Sequence, residues 1–258
     1  MLWRKSRAFN GDFMDVLILN PPWPGKGYGV RTNSRWPHRR ADKHLPFPSY
    51  LAYSAALLEQ NNISVKVIDA VAEELSIQKL IKQVETQKPK FIFIETSTPT
   101  INIDLHTARK INEKHRAKIF LMGAHVTFYH ENILKENPYI SGVIRGEFEF
   151  TILEIAQKKS LNKIKGLTFR KNKKIIANPP MPLIDNLDEL PLPAWHQFNL
   201  KYYDSFLHES PSLIMITSRG CPYQCTFCLW PDLMYGHKQR YRSAKNVVDE
   251  MEILVNKY

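Results

Sequence analysis

Three cysteines, Cys221, Cys225 and Cys228, fall within eight residues, and the chain has no others. Thiolates spaced C-x3-C-x2-C on one short loop can ligate three irons of a single cluster and leave the fourth iron open to another ligand. A zinc site would need a fourth ligand, for which His237 is the nearby candidate, and zinc ligands come more often as two pairs. The remaining alternative is three buried thiols that hold no metal. An odd, crowded set makes a poor disulfide framework, and it points to a reducing compartment, the cytoplasm. Gly220 lets the backbone turn tightly into the loop, and Pro222 stiffens it.

Such a loop needs elements to carry it. The apolar run 213–216 predicts a strand entering it, and 244–258 a helix after it, with Val247, Val248, Met251, Leu254 and Val255 on one side. Upstream, apolar runs at 16–19, 64–69, 91–94, 119–123 and 142–146 predict strands. Helical segments are expected between and after them at 50–60, 77–86, 104–115, 130–137 and 151–158, with 96–102 polar and turn-like. Strands separated by helices imply right-handed crossovers and a parallel sheet covered on both faces. Residues 13–158 are therefore expected to form a doubly wound, Rossmann-like α/β domain behind an N-terminal tail, 1–12. Its ligand belongs at the carboxyl ends of the strands, at 20–24, 69–70, 95–99, 123–127 and 146–147. The long loop 23–48 has no clear period, which suits a functional or mobile segment. Residues 159–209 read as a hairpin with a basic turn and a proline-rich extended linker, and 210–258 as the start of a second unit.

Composition narrows the function class. The chain has 258 residues, 43% hydrophobic and 24% charged, an ordinary globular balance. Lys and Arg exceed Asp and Glu by 36 to 25, a net +11, but no run of like charges reaches five, so a nucleic-acid partner is not expected. No stretch approaches the roughly 18 uninterrupted apolar residues of a membrane span, and no apolar segment follows Arg4, Lys5 and Arg7 to make a secretory signal.

The run Thr217-Ser218-Arg219-Gly220-Cys221-Pro222-Tyr223-Gln224-Cys225-Thr226-Phe227-Cys228 resembles the radical S-adenosylmethionine (SAM) enzymes, with Phe227 as the aromatic residue before the last cysteine. The upstream domain resembles the cobalamin-binding domain of the branch that includes the anaerobic magnesium-protoporphyrin monomethyl ester cyclase. The matching runs are Leu19-Asn20-Pro21-Pro22, Val67-Ile68-Asp69-Ala70, Met122-Gly123-Ala124-His125-Val126-Thr127, Arg145-Gly146-Glu147-Phe148-Glu149 and 187–194. The resemblance implies a cobalamin-binding domain followed by the first βα unit of a radical SAM partial TIM barrel, truncated after it, so that this chain alone is expected to be inactive. It implies a 4Fe-4S cluster on Cys221, Cys225 and Cys228, reductive SAM cleavage, and methyl transfer or carbon-skeleton or cyclisation chemistry on an unactivated carbon of a small molecule or lipid. An electron donor such as flavodoxin or ferredoxin would serve it.

Cobalamin contacts are expected from Asn20, Thr96, Ser97, Thr98, Gly123, His125, Thr127 and Glu147, with Phe227 beside the other cofactors. No histidine lower ligand is expected, because Asp104-Leu105-His106-Thr107-Ala108-Arg109 follows the third strand and has Arg109 where that motif requires Gly; His106 reads as a surface helix residue. The alternative from another class is a non-catalytic cobalamin- or cluster-binding module. RNA-modifying methylthiotransferases carry further cysteines upstream, which this chain lacks before Cys221.

Overall fold

Five short runs of Val, Leu, Ile and Phe pair side by side and are buried from both faces. The computed structural model describes residues 14–23, 25, 31, 45–203 and 212–258; the expected tail 1–12 and most of the loop 23–48 lie outside them. The strands are β1 (Val16–Asn20), β2 (Val65–Asp69), β3 (Phe91–Glu95), β4 (Lys118–Met122) and β5 (Gly142–Ile144). The helices are α1 (Ser49–Gln60), α2 (Ile77–Gln87), α3 (Ile101–Lys114), α4 (Ala124–Phe128), α5 (His130–Glu136) and α6 (Glu149–Ala156). A hairpin, β6 (Leu167–Lys171) and β7 (Lys174–Ala177), follows.

One sheet takes all seven strands in the order β2-β1-β3-β4-β5-β6-β7. The first five are parallel, and the hairpin adds two antiparallel strands at the edge. The hairpin thus continues the sheet of the α/β domain. Alternation along the strands sorts side chains to two cores. Val16, Ile18, Val65, Val67, Phe93, Phe120 and Met122 pack with α1 and α6 on one face. Leu17, Leu19, Ile68, Ile92, Ile94 and Leu121 pack with Leu80 and Val84 of α2, Ala108 and Ile111 of α3 and Ile133 and Leu134 of α5 on the other. Helices on both faces and a strand order that reverses beside β1 make the fold doubly wound, as the sequence leads one to expect.

Three local expectations change. Helix α3 begins at Ile101 rather than 104, because Thr100 Oγ1 donates to the Asp104 carboxylate (2.6 Å) and closes the first turn. The segment after β4 contains the short helix α4, not only a loop. Residues 213–216, expected as a strand, carry no ladder among the described residues. Pairing occurs just beyond, where β8 (Ser218–Arg219) runs antiparallel to β9 (Arg240–Tyr241). A strand is defined by its neighbours, and the carbonyls of Ile214 and Ile216 are taken instead by Ser49 Oγ (3.3 Å) and Arg242 Nη1 (2.9 Å). The last helix, α7 (Ala244–Lys257), forms where expected.

The proline-rich stretch is docked rather than free. Ala194 N donates to Ala52 O of α1 (3.0 Å), Trp195 stacks on Phe47 at 4.1 Å, and Gln197 Nε2 donates to Glu59 Oε1 (2.6 Å).

Phe93 is fully buried and stacks on Phe120 with ring centroids 5.5 Å apart. Phe93→Ala is expected to destabilise the chain by about 3–5 kcal/mol through the cavity it leaves, read as a fall in the urea midpoint at unchanged slope.

Candidate functional site

The carboxyl edge of the sheet divides into a buried polar half and an accessible half. Asn20 ends β1, and its Nδ2 donates to Asp69 Oδ1 (2.7 Å) at the end of β2. Its Oδ1 accepts from Arg31 Nη1 (2.9 Å). Arg31 also donates to Pro22 O (3.0 Å) and pairs with Asp104 (2.7 Å), both side chains being sealed from solvent. Tyr203 donates its hydroxyl to Asp69 Oδ2 (3.0 Å). Burial raises the Asp69 and Asp104 carboxyls above their ordinary range, although the donors around them pull the other way. Asn20, expected to meet a ligand, is therefore a buried hub of this network.

The loops after β3 and β4 are tied to each other. Gly123 has φ +117°, and a Cβ there would lie 2.3 Å from Thr96 O, so only glycine allows this approach. Thr96 donates through both N (2.9 Å) and Oγ1 (2.8 Å) to Met122 O, and Ser97 Oγ lies 2.9 Å from Thr100 Oγ1. Thr96, Ser97 and Gly123 are thus buried parts of the scaffold. Thr98 is exposed, with Oγ1 3.2 Å from His125 Nδ1. Partial burial lowers the His125 imidazole below its ordinary range, so at neutral pH the ring can donate at one nitrogen and accept at the other. Thr127 donates to Gly123 O (2.8 Å) and accepts from Gly146 N (3.2 Å), linking the ends of β4 and β5. Of the residues expected from sequence, Thr98, His125 and Thr127 form an accessible rim. His106 lies on the exposed side of α3.

Glu147 plays a different part from the ligand contact expected of it. Its side chain is sealed, and it accepts from Arg219 Nη1 (3.3 Å), Arg240 Nη1 (3.0 Å) and Nη2 (2.9 Å), and Ile184 N (2.8 Å). These donors occupy both carboxylate oxygens. Arg219 also donates to Glu149 Oε1 (2.6 Å). Burial opposes charge on Arg219, but the Glu149 and Glu147 carboxylates outweigh it and hold the guanidinium above its ordinary range. Sequence alone did not pair these groups, because 72 and 93 residues separate Glu147 from its arginines.

The cysteine loop leaves directly from Arg219. Residues 222–227 are exposed, Phe227 by 75%. All three thiols are free; Cys225 is exposed, and Cys221 and Cys228 are half-buried. Cys221 N donates to Gly236 O (3.1 Å), and Cys228 N to Cys225 O (3.0 Å). Among the described residues no three ligating side chains converge as a metal-binding group. The chemistry of the donor set, three free thiols on a solvent-open loop, fits an iron–sulfur cluster. His237, the fourth ligand a zinc site would need, holds its Nε2 2.8 Å from Asp232 Oδ1. Beyond the loop, one turn of π-helix, Pro231–Tyr235, returns to the sheet, where Met234 Sδ lies 3.8 Å from Thr127 Oγ1.

Residues 45–156 match the family model of the B12 binding domain. An uncharacterized methyltransferase of Pyrococcus horikoshii is 34% identical over 217 residues, which are 82% of this chain and 46% of that protein. The anaerobic magnesium-protoporphyrin IX monomethyl ester cyclase of Rubrivivax gelatinosus is 28% identical over 257 residues, 95% of this chain and 43% of that protein. The chain thus spans less than half the length of these relatives. The solved structure of the cobalamin-dependent SAM radical enzyme OxsB, with aqua-cobalamin and SAM bound, superposes with a TM-score of 0.73 at 17% identity, over 93% of this chain and 31% of that one. This last likeness is one of fold. The branch to which the sequence motifs pointed is the one in which the relatives lie.

Glu95, at the end of β3, is buried, and burial pushes its carboxyl up to about 8, Arg31 pulling against Asp69 and Asp104. A carboxyl raised in the folded state binds a proton that the unfolded chain has already released. Stability is therefore expected to fall as pH rises from the ordinary glutamate range to about 8, by up to about 1.4 kcal/mol per pH unit. Urea unfolding from pH 5 to 8 checks this, and Glu95→Gln is expected to flatten that slope.

Proposed function

We propose that this chain is the cobalamin- and cluster-binding part of a radical SAM enzyme. The observation that carries the proposal is the juxtaposition at one sheet edge. A C-x3-C-x2-C loop with three free thiols leaves from Arg219, which Glu147 holds just past the end of β5, on the sheet edge that carries the accessible rim of Thr98, His125 and Thr127, in a domain that matches the B12 binding family.

In this reading Cys221, Cys225 and Cys228 hold three irons of a 4Fe-4S cluster, leaving one iron for the amino and carboxylate groups of SAM. When bound, the cluster and SAM supply reductive carbon–sulfur cleavage, and cobalamin supplies methyl transfer or a related step on an unactivated carbon of a small molecule or lipid. The chain's own residues bind and orient. Thr98 and His125 offer a hydroxyl and a neutral imidazole to the amide groups around a corrin ring, and Thr127, whose hydroxyl is bonded to Gly123 O and Gly146 N, borders them, with no histidine serving as lower ligand. Exposed Phe227 lies within the loop, next to Cys228, where it can cover SAM. The Tyr50, Tyr235 and Trp230 rings, stacked at 4.9 and 5.6 Å, close the base of the loop against water. Burial keeps the Tyr50 and Tyr235 phenols protonated, so they bring no charge to that base. A small flavodoxin or ferredoxin is the class of electron donor such a site takes. Among the described residues no helix is long and apolar enough to cross a membrane.

Anaerobic reconstitution with iron and sulfide is expected to load about four irons per chain, with the absorbance of a 4Fe-4S cluster, and Cys225→Ala is expected to lose it. Separately, titration with hydroxocobalamin is expected to give one site, weakened about tenfold or more by Thr127→Trp, which would fill the rim. Zinc alone, or no metal in either protein, would overturn the radical reading. Cluster and cobalamin binding without SAM cleavage by the intact enzyme would leave a binding module.

A further inference from the structure

The cysteine loop is held firmly at both ends and is open in the middle. At its entry Arg219 is buried between the Glu147 and Glu149 carboxylates, with its guanidinium carbon 4.9 Å from the Tyr50 ring and 5.6 Å from Tyr53. Gly220 follows with φ +94°, and a Cβ there would lie 2.2 Å from Lys238 O, so the entry is pressed against the returning chain. At its exit Tyr235 stacks on Tyr50 at 4.9 Å, and Arg240 Nη2 donates to Tyr235 O (2.7 Å). Arg240 also donates to Ile184 O (2.6 Å) and, through both terminal nitrogens, to Glu147. One carboxylate at the end of β5 is thus the common partner of the arginines that precede and follow the three cysteines.

A buried ion pair is weak evidence for stability, because desolvation offsets most of its attraction. What it supplies here is direction. Guanidinium groups bonded through fixed forks set orientation as well as distance. Apolar side chains of the same volume could fill the space between β5, α1 and the loop without fixing where the loop starts. Thr127, which bonds Gly146 N one residue before Glu147, lies on the accessible rim.

We propose that Glu147 is a positioning residue: through Arg219 and Arg240 it sets the register of the three thiols against the rim of Thr98, His125 and Thr127, so that one buried carboxylate aligns the two cofactor sites. The assignment of those sites rests on the function proposed above; the anchoring itself does not. Glu147→Gln keeps shape and removes charge.

In the metal-free 258-residue chain, hydrogen exchange across 219–241 and labelling of Cys221 and Cys228 with a maleimide read the anchor directly. Glu147→Gln is expected to raise both rates roughly tenfold, through loss of the carboxylate charge and of the bonds accepted by one of its two oxygens, with unchanged far-ultraviolet circular dichroism. Asp104→Asn breaks a separate buried pair, with Arg31, and is expected to lower the melting temperature without changing either rate. After iron–sulfide reconstitution, Glu147→Gln is expected to keep its iron but broaden the electron paramagnetic resonance signal of the reduced cluster and weaken its response to SAM. Should Glu147→Gln fail to fold, Arg240→Lys, which keeps the charge and loses the fork, takes its place with the same expected rates. Unchanged labelling and exchange in the folded variant, or an equal rise in Asp104→Asn, would overturn the proposal. A wild-type chain that takes up no iron would remove the cluster reading and leave the metal-free rates to decide the anchoring.

Discussion

The buried carboxylate of Glu147 between Arg219 and Arg240 is the contact on which the arrangement of this protein turns. It joins the end of a parallel strand to chain segments 72 and 93 residues further on. Two carboxylates, Glu147 and Glu149, face two guanidinium groups, so the cluster is close to neutral, and sealing it from water leaves no net charge in the core. Each loop end also leans on aromatic rings carried by α1 and the π-turn, which take up the planar faces of Arg219. The cysteine loop needs no regular strand of its own because its ends are fixed by side chains.

A second buried network occupies the other half of the same edge. Asn20, Asp69, Asp104, Arg31 and Tyr203 satisfy one another where β1 and β2 end. In doubly wound sheets the crevice beside the reversal of strand order is the usual ligand site. Here much of that crevice is filled by the protein's own polar groups, and Arg31 reaches in from the long loop to complete them. The accessible donors and acceptors are displaced toward β4, and the close passage of Gly123 over Thr96 lets the two loops lie together there.

The fold was largely legible in sequence because it rests on short-range signals. Runs such as 91–94 and 119–123 are too apolar to face water, and the helical spacing between them leaves few topologies for a parallel sheet. The cysteine spacing was legible for the same reason: all three residues sit within one loop. What could not be seen were pairings between distant charges. Arg219 and Glu149 stand inside the runs singled out from sequence, yet nothing local tells an arginine that reaches a phosphate or a solvent shell from one that meets a glutamate 70 residues away. Asn20, Thr96 and Ser97 were expected at the ligand because polar residues end buried strands; three-dimensional packing buries those residues and leaves Thr98, His125 and Thr127 at least partly accessible. The strand expected at 213–216 was misplaced because apolar character marks extended chain, whereas a strand also requires a neighbour to pair with.

Strand order then fixes how far apart the two candidate sites stand. Along the edge come β1 with its sealed network, β3 with Thr98, β4 with His125 and Thr127, and β5 with the anchor of the cysteine loop. Neighbouring parallel strands lie about 4.8 Å apart, so the ends of β3 and β4 stand within roughly 10 Å of the end of β5, just beyond which Glu147 holds Arg219. In the proposed reading, a flat ligand resting on the rim would lie between the buried network on one side and the cysteine loop on the other. In that reading, the polar groups sealed at β1 and β5 would bound the site on its two sides.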